Sequence, residues 1–269
     1  MGESPRWHDG RLWYADWGAR EIVALGAEGD AEVVARPPAL PFCFDFLPDG
    51  RMLVVSGREG LLLRGEPGGT FEVHTDLRQL APPPWNDIVV DARGNAYVNC
   101  TGFDFPGGEF APGIVALVTP DGAARQVAGG VAFPNGMAVT ADGAGLILAE
   151  SYGNRLTAYD IAADGSLSRG RVWADLGEDA PDGICLDEDG AVWYSDVPHR
   201  RCVRVREGGE VLQAVELDRG CFACMLGGDD GRTLFMMAND WHGPQRIAEE
   251  AGTGLVLAVD APARHAGWP

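Results

Sequence analysis

One phrase recurs six times along the 269 residues and constrains the fold more than any other feature: a short apolar strand, a turn written Asp-Gly or close to it, and a second apolar strand that often carries an aromatic residue. The copies are SPRWHDGRLWYADW, CFDFLPDGRMLVVS, WNDIVVDARGNAYVNC, PNGMAVTADGAGLILAES, PDGICLDEDGAVWYSD and CMLGGDDGRTLFMMAN. Their turn glycines are Gly10, Gly50, Gly94, Gly143, Gly190 and Gly231. They recur at about 40 to 50 residues, the length of a four-stranded propeller blade. Asp-Gly between two β-runs supplies the positive φ that a tight hairpin needs. Further apolar stretches, such as REIVALGAEG and GIVALVTPDG, alternate well enough to be outer strands, and no stretch has helical periodicity. The sequence therefore predicts an all-β, six-bladed β-propeller with four-stranded blades, a single domain over residues 1–269. The chain begins almost directly on its first inner strand. Either a closing strand from before blade one is missing and GLVLAVDAPA completes blade six unaided, or the sequence begins late; in both cases the N-terminus is expected to be less firmly held.

A net charge of -19 disfavours nucleic acid, whose phosphates need clustered Lys and Arg. No run approaches the roughly 18 apolar residues that cross a bilayer, and no basic stretch leads into an apolar one, so a cytoplasmic protein without membrane partners is expected. The six cysteines are scattered through strand-like segments, as free thiols would be.

Inner strands of a propeller start near the central channel, so polar residues opening different repeats converge there. Those positions hold Glu3 in GESPRW, Asn86 in WNDIVVD, Asn135 in PNGMAV and Asp182 in PDGICLD. Two carboxylates and two carboxamides, with no thiol, suit a hard divalent cation: Ca²⁺ first, with Mg²⁺, Mn²⁺ or Zn²⁺ open. Asn135-Gly136 and Asp182-Gly183 taken singly read as ordinary turn formers. Each nevertheless follows a proline and precedes an apolar strand at the same phase of the repeat. Ser151 and Ser195 sit in no Gly-x-Ser-x-Gly elbow, and the histidines have no ligand spacing. His199 and His242 read as loop residues, and Cys221 and Cys224 as buried apolar thiols.

With these motifs the chain resembles the gluconolactonase, regucalcin (senescence marker protein) and luciferin-regenerating enzyme family over nearly its whole length. GESPRWHDGRLWYADW, PNGMAVTADG, AESYGNRLTAYDI, PDGICLDEDGAVWYSD and CFACMLGGDDGRTLF carry the likeness. The resemblance implies one divalent metal ion held by Glu3, Asn135 and Asp182, with Asn86 facing the substrate or a metal-bound water and Asp104 touching the substrate. Pro84 stands where some members place an arginine that grips sugar hydroxyls. Trp85, Phe103, Phe105 and Tyr152 would give a more apolar mouth, or pack loop against loop. The expected activity is hydrolysis of a small lactone or related ester by metal-activated water, with Asp182 as catalytic base and Asn86, Asp104, Trp85 and Tyr152 binding the substrate. Two alternatives stay open: a calcium- or protein-binding propeller without catalysis, and a hydrolase of other esters such as phosphotriesters.

Overall fold

The computed structural model describes residues 1–27, 29–66, 69–249 and 252–268. Six antiparallel sheets follow one another along the chain, each beginning with its innermost strand. These inner strands are Gly2–His8, Phe42–Phe46, Trp85–Val90, Pro134–Val139, Pro181–Asp187 and Gly220–Gly227. Each packs beside the next, and the first packs beside the last, which closes the ring of a six-bladed propeller. All six repeat glycines take a φ between 67° and 82°, the left-handed region that the hairpins require.

Strand alternation builds the core. Successive residues of an inner strand point into opposite inter-blade spaces: Ile88 and Val90 pack toward blade two with Leu53 and Leu62, whereas Val89 packs toward blade four with Met137 and Val139. Six apolar clusters result, one in each interface between blades. The seam between blades six and one has the smallest fully buried set, Leu12, Ala223 and Met237. All six cysteines are buried and free.

Blades one to five carry four strands each from their own stretch of sequence. Among the described residues blade six shows three, the last being Leu255–Asp260 from the GLVLAVDAPA segment. No N-terminal strand joins it. The N-terminus is nevertheless held, contrary to the expectation from sequence: the Trp17 N–H donates to the Met1 carbonyl at 2.9 Å, and the terminal ammonium lies 3.7 Å from Asp16.

After blade six the chain turns across the far end of the channel. The Glu188 N–H donates to the Arg264 carbonyl at 2.8 Å, His265–Ala266 pairs with Asp187 and Leu186 on the free edge of blade five's inner strand, and Trp268 exchanges two backbone hydrogen bonds with Val139 of blade four. Among the described residues no helix is long and apolar enough to cross a membrane.

Candidate active site

Outside blade two, the inner strands are not regular where they open onto the channel. The ladder slips between Glu3 and Arg6 in blade one, between Trp85 and Ile88 in blade three, where Asn86 and Asp87 stand opposite the single Asn99, between Pro134 and Met137 in blade four, and between Pro181 and Ile184 in blade five. A β-bulge frees a residue from pairing and re-aims its side chain. The residues freed this way include Asn86, Asp87, Asn135 and Asp182, while Glu3 still pairs with Ala15 and stands at the edge of its bulge, next to the freed Ser4. Asn135-Gly136 and Asp182-Gly183 are therefore bulges at strand openings, and neither glycine has a positive φ. Their glycines answer to close packing instead. A Cβ on Gly136 would lie 2.6 Å from the Asp182 carbonyl oxygen, and one on Gly183 would lie 2.7 Å from the Ala223 Cβ. In blade one Ser4 takes a φ of 51°, held there by its hydroxyl, which donates to the Phe44 carbonyl at 3.0 Å and accepts from the Phe44 N–H at 3.1 Å.

Glu3, Asn86, Asp87, Asn135 and Asp182 line one cavity of about 710 Å³ in the channel. They are half-buried because they face the cavity, yet they lie deep within the protein mass. Burial first, then the nearby Asp182 and Asp87, pushes the Glu3 carboxyl well above its usual range. Asp182 is raised by burial and then by Asp87, against a hydrogen bond from Asn135. Burial pushes Asp87 up to about 6 even though Arg6 pulls it down. Arg6 is the cation beside this cluster, and it is already committed: its Nε lies 3.2 Å from Asp45, and its Nη2 donates to the Ile88 carbonyl at 2.7 Å. The donors are all oxygens, the carboxylates repel one another, and desolvation is incompletely offset. That combination fits a hard divalent cation.

The carboxamides are positioned from behind. Asn99 donates to the Asn135 carbonyl at 2.7 Å and accepts from the Asp87 N–H at 3.2 Å. The Asn135 Nδ2 donates to the Ser151 hydroxyl at 3.3 Å, and Ser151 donates onward to the Pro181 carbonyl at 2.7 Å. The Asn86 Nδ2 lies 3.5 Å from the Asn135 Oδ1. Ser151 thus supports a carboxamide and is not poised as a nucleophile.

The sequence profile of the SMP-30/Gluconolactonase/LRE-like region matches residues 1–239, the stretch that carries every one of these residues. The chain belongs to that family. It is 25% identical over 277 residues to the 6-deoxy-6-sulfogluconolactonase of Pseudomonas putida, a match covering 96% of this chain and 90% of the relative. A solved luciferin-regenerating enzyme superposes with a TM-score of 0.84 at 17% identity, over 99% of this chain and 94% of that one. The calcium-binding protein regucalcin from Agrobacterium tumefaciens superposes at 0.79 with 21% identity, over 99% and 91%.

Not every residue singled out in the sequence joins this family member's cavity. Trp85 lines it with a wholly buried ring, and Tyr152 stands at the rim, half exposed. Asp104 does not line it. That side chain is exposed on the loop after blade three's second strand, and Arg58 donates to it at 3.0 Å. Asp87, Arg6 and Asn99 are site residues that the sequence reading left out. Asp87 directly follows Asn86, and that adjacency was the available signal.

His199 does lie on a turn of blade five, as read from sequence, and with Asp179 and Asp196 it brings ligand-type atoms within 4.8 Å of one another. Here the cation is supplied by the protein. Arg201 lies 2.6 Å from Asp179 and 3.5 Å from Asp196, the His199 Nδ1 lies 2.7 Å from Asp196, and the Tyr194 hydroxyl donates to Asp179 at 2.5 Å. These contacts make an ion-pair network, not an open ligand set.

Proposed function

We propose that this protein hydrolyses a small lactone at the channel cluster, with one divalent cation, calcium foremost, held by Glu3, Asn135 and Asp182. The observation that carries the reading is the convergence of three half-buried, mutually repelling carboxylates and two carboxamides in a substrate-sized cavity. Membership of a family with named lactonases supports it. When bound, such a cation supplies Lewis acidity for the developing oxyanion and lowers the pKa of coordinated water.

The chain's own residues provide the rest. Asp182 accepts the proton of the attacking water. A carboxylate in bulk water is a weak base for this task, and Asp182 is instead positioned out of bulk water in the cavity, with a hydrogen bond from Asn135. Asp87, at about 6, is ionised at neutral pH and holds the cluster negative while a cation is bound. Asn86 donates from its amide to the lactone carbonyl or to the water, and the chain of hydrogen bonds through Asn99 and Ser151 fixes Asn135 beside it.

The test is pH-stat hydrolysis across a panel of lactones, using chelated protein with Ca²⁺, Mg²⁺, Mn²⁺ or Zn²⁺ restored singly, and Asp182→Asn beside it. Cation-dependent turnover that disappears in the variant is the expected result. Cation binding with every lactone inert would sink the hydrolase reading in favour of a binding propeller.

A further inference from the structure

Above the carboxylates the cavity wall changes character. One side is an aromatic shelf: Phe133 stacks on Tyr152 with centroids 4.8 Å apart and planes 18° apart, and Phe105 meets Phe133 at 4.9 Å. Phe103 and Phe110 brace this shelf from behind, at 5.5 Å from Phe133 and 5.9 Å from Tyr152 respectively. Phe222 and Trp241, 5.7 Å apart, line the cavity from blade six and the segment after its second strand.

The wall's serine and threonine hydroxyls and the Trp17 indole are spent on the protein itself. The Ser4 hydroxyl donates to the Phe44 carbonyl, Thr101 donates to the Phe103 carbonyl at 2.9 Å, Ser151 donates to the Pro181 carbonyl, and the Trp17 Nε1 donates to the Phe42 carbonyl at 2.6 Å. Pro84 lines the wall and offers no donor. Of the other polar tips, Arg20, Arg58 and Tyr152 stand on residues exposed at the surface, and the Trp85 Nε1 is buried without a partner among the described residues.

We propose that the substrate is a lactone bearing an alkyl or aryl substituent that lies on the Phe105, Phe133 and Tyr152 shelf, and not a polyhydroxylated sugar lactone. The proposal rests on the lactone-hydrolase reading and names the substrate class of the same site. A sugar chain brought against these rings would lose water from its hydroxyls and find few free partners, at roughly tenfold in affinity for each one left unpaired. An apolar substituent gains about fourfold per methylene buried there. Aromatic rings at offset and edge-on spacings also present flat faces that an aryl group can stack on.

The experiment compares kcat/KM of the calcium-loaded protein for δ-valerolactone, δ-decalactone, dihydrocoumarin and glucono-δ-lactone. δ-Decalactone and dihydrocoumarin should exceed glucono-δ-lactone by about 100-fold, the product of a few such gains and losses. Tyr152→Ala and Phe133→Leu should each lower the ratio of δ-decalactone to δ-valerolactone by about tenfold, the first at an exposed position where folding is not at stake. Glucono-δ-lactone turned over as well as δ-decalactone, or a ratio untouched by both variants, would overturn the proposal. A second readout separates it from the hydrolase reading: tryptophan fluorescence titrated with 5-hydroxydecanoate and with gluconate. Tighter 5-hydroxydecanoate binding, weakened by Tyr152→Ala, supports the apolar class even if no lactone is hydrolysed, an outcome that sinks only the hydrolase reading. Equal binding of the two acids, or binding of neither, overturns the proposal itself.

Discussion

Blades two and five are built from the same repeat, yet their inner strands open onto the channel in different ways. In blade two, Phe42–Phe46 pairs residue for residue with Met52–Ser56, so alternation is unbroken: Phe42 and Phe44 pack fully into the core, and what reaches the channel is the small thiol of Cys43. In blade five the ladder slips between Pro181 and Ile184, and Asp182 is released from pairing to face the cavity. Regular pairing delivers core, and a bulge at the same phase delivers chemistry. The bulge has a packing cost, because it draws the backbones of blades four, five and six so close that Gly136 and Gly183 leave no room for a side chain.

Breaking the chemical side of this contrast should have the largest effect. Asp182→Ala is expected to lower kcat/KM by about 10³-fold and to abolish the rise in Tm on adding calcium, as measured by pH-stat and by thermal melts. Breaking the packing side comes next. In Gly183→Ala the new Cβ meets Ala223, and a stability loss of about 2–3 kcal/mol is expected by denaturant unfolding, with a fall in activity as Asp182 is displaced. Gly50→Ala, in the hairpin of blade two, has open space around it and only its φ of 82° against it. About 1 kcal/mol with activity intact is the expected result there.

The carboxylates give the contrast a pH dependence. Asp87 is raised from 3.8 to about 6, so it binds its proton more tightly folded than unfolded; its contribution to stability is full below about pH 4 and is lost as pH rises through 6. In metal-free protein at pH 7.5, Asp87→Asn should therefore be the more stable form by on the order of 2 kcal/mol, and the advantage should vanish near pH 4. The smallest effect belongs to the support behind the bulge. Ser151→Ala removes the hydroxyl that accepts from Asn135, and about a fivefold fall in kcat/KM is expected with little change in Tm.

What could be read from sequence follows from the range of the interactions concerned. The hairpins were legible because Asp-Gly turns and alternating apolar residues are local, and so were Glu3, Asn86, Asn135 and Asp182, which share one phase of a visible repeat. Asp87 was passed over because one polar residue per repeat was sought, and the third copy opens with two. Arg6 and Asn99 act across blades, on Asp45 and Asn135, and no local pattern marks such a partnership. Asp104 was placed at the substrate by resemblance, whereas its neighbour is set by Arg58, 46 residues earlier. The bulges at Asn135-Gly136 and Asp182-Gly183 are written like turns, and only the closeness of the adjacent strand shows why glycine is there.

The segment that crosses from blade six pairs with the inner strands of blades five and four at their far ends, away from the strand openings that carry the carboxylates. Among the described residues the cavity wall includes no part of that segment and does include the aromatic mouth. A neutral lactone entering there would leave as an anionic hydroxy acid. An acidic floor that activated such a reaction would also repel its product back along the entry path, coupling each turnover to clearance of the vessel.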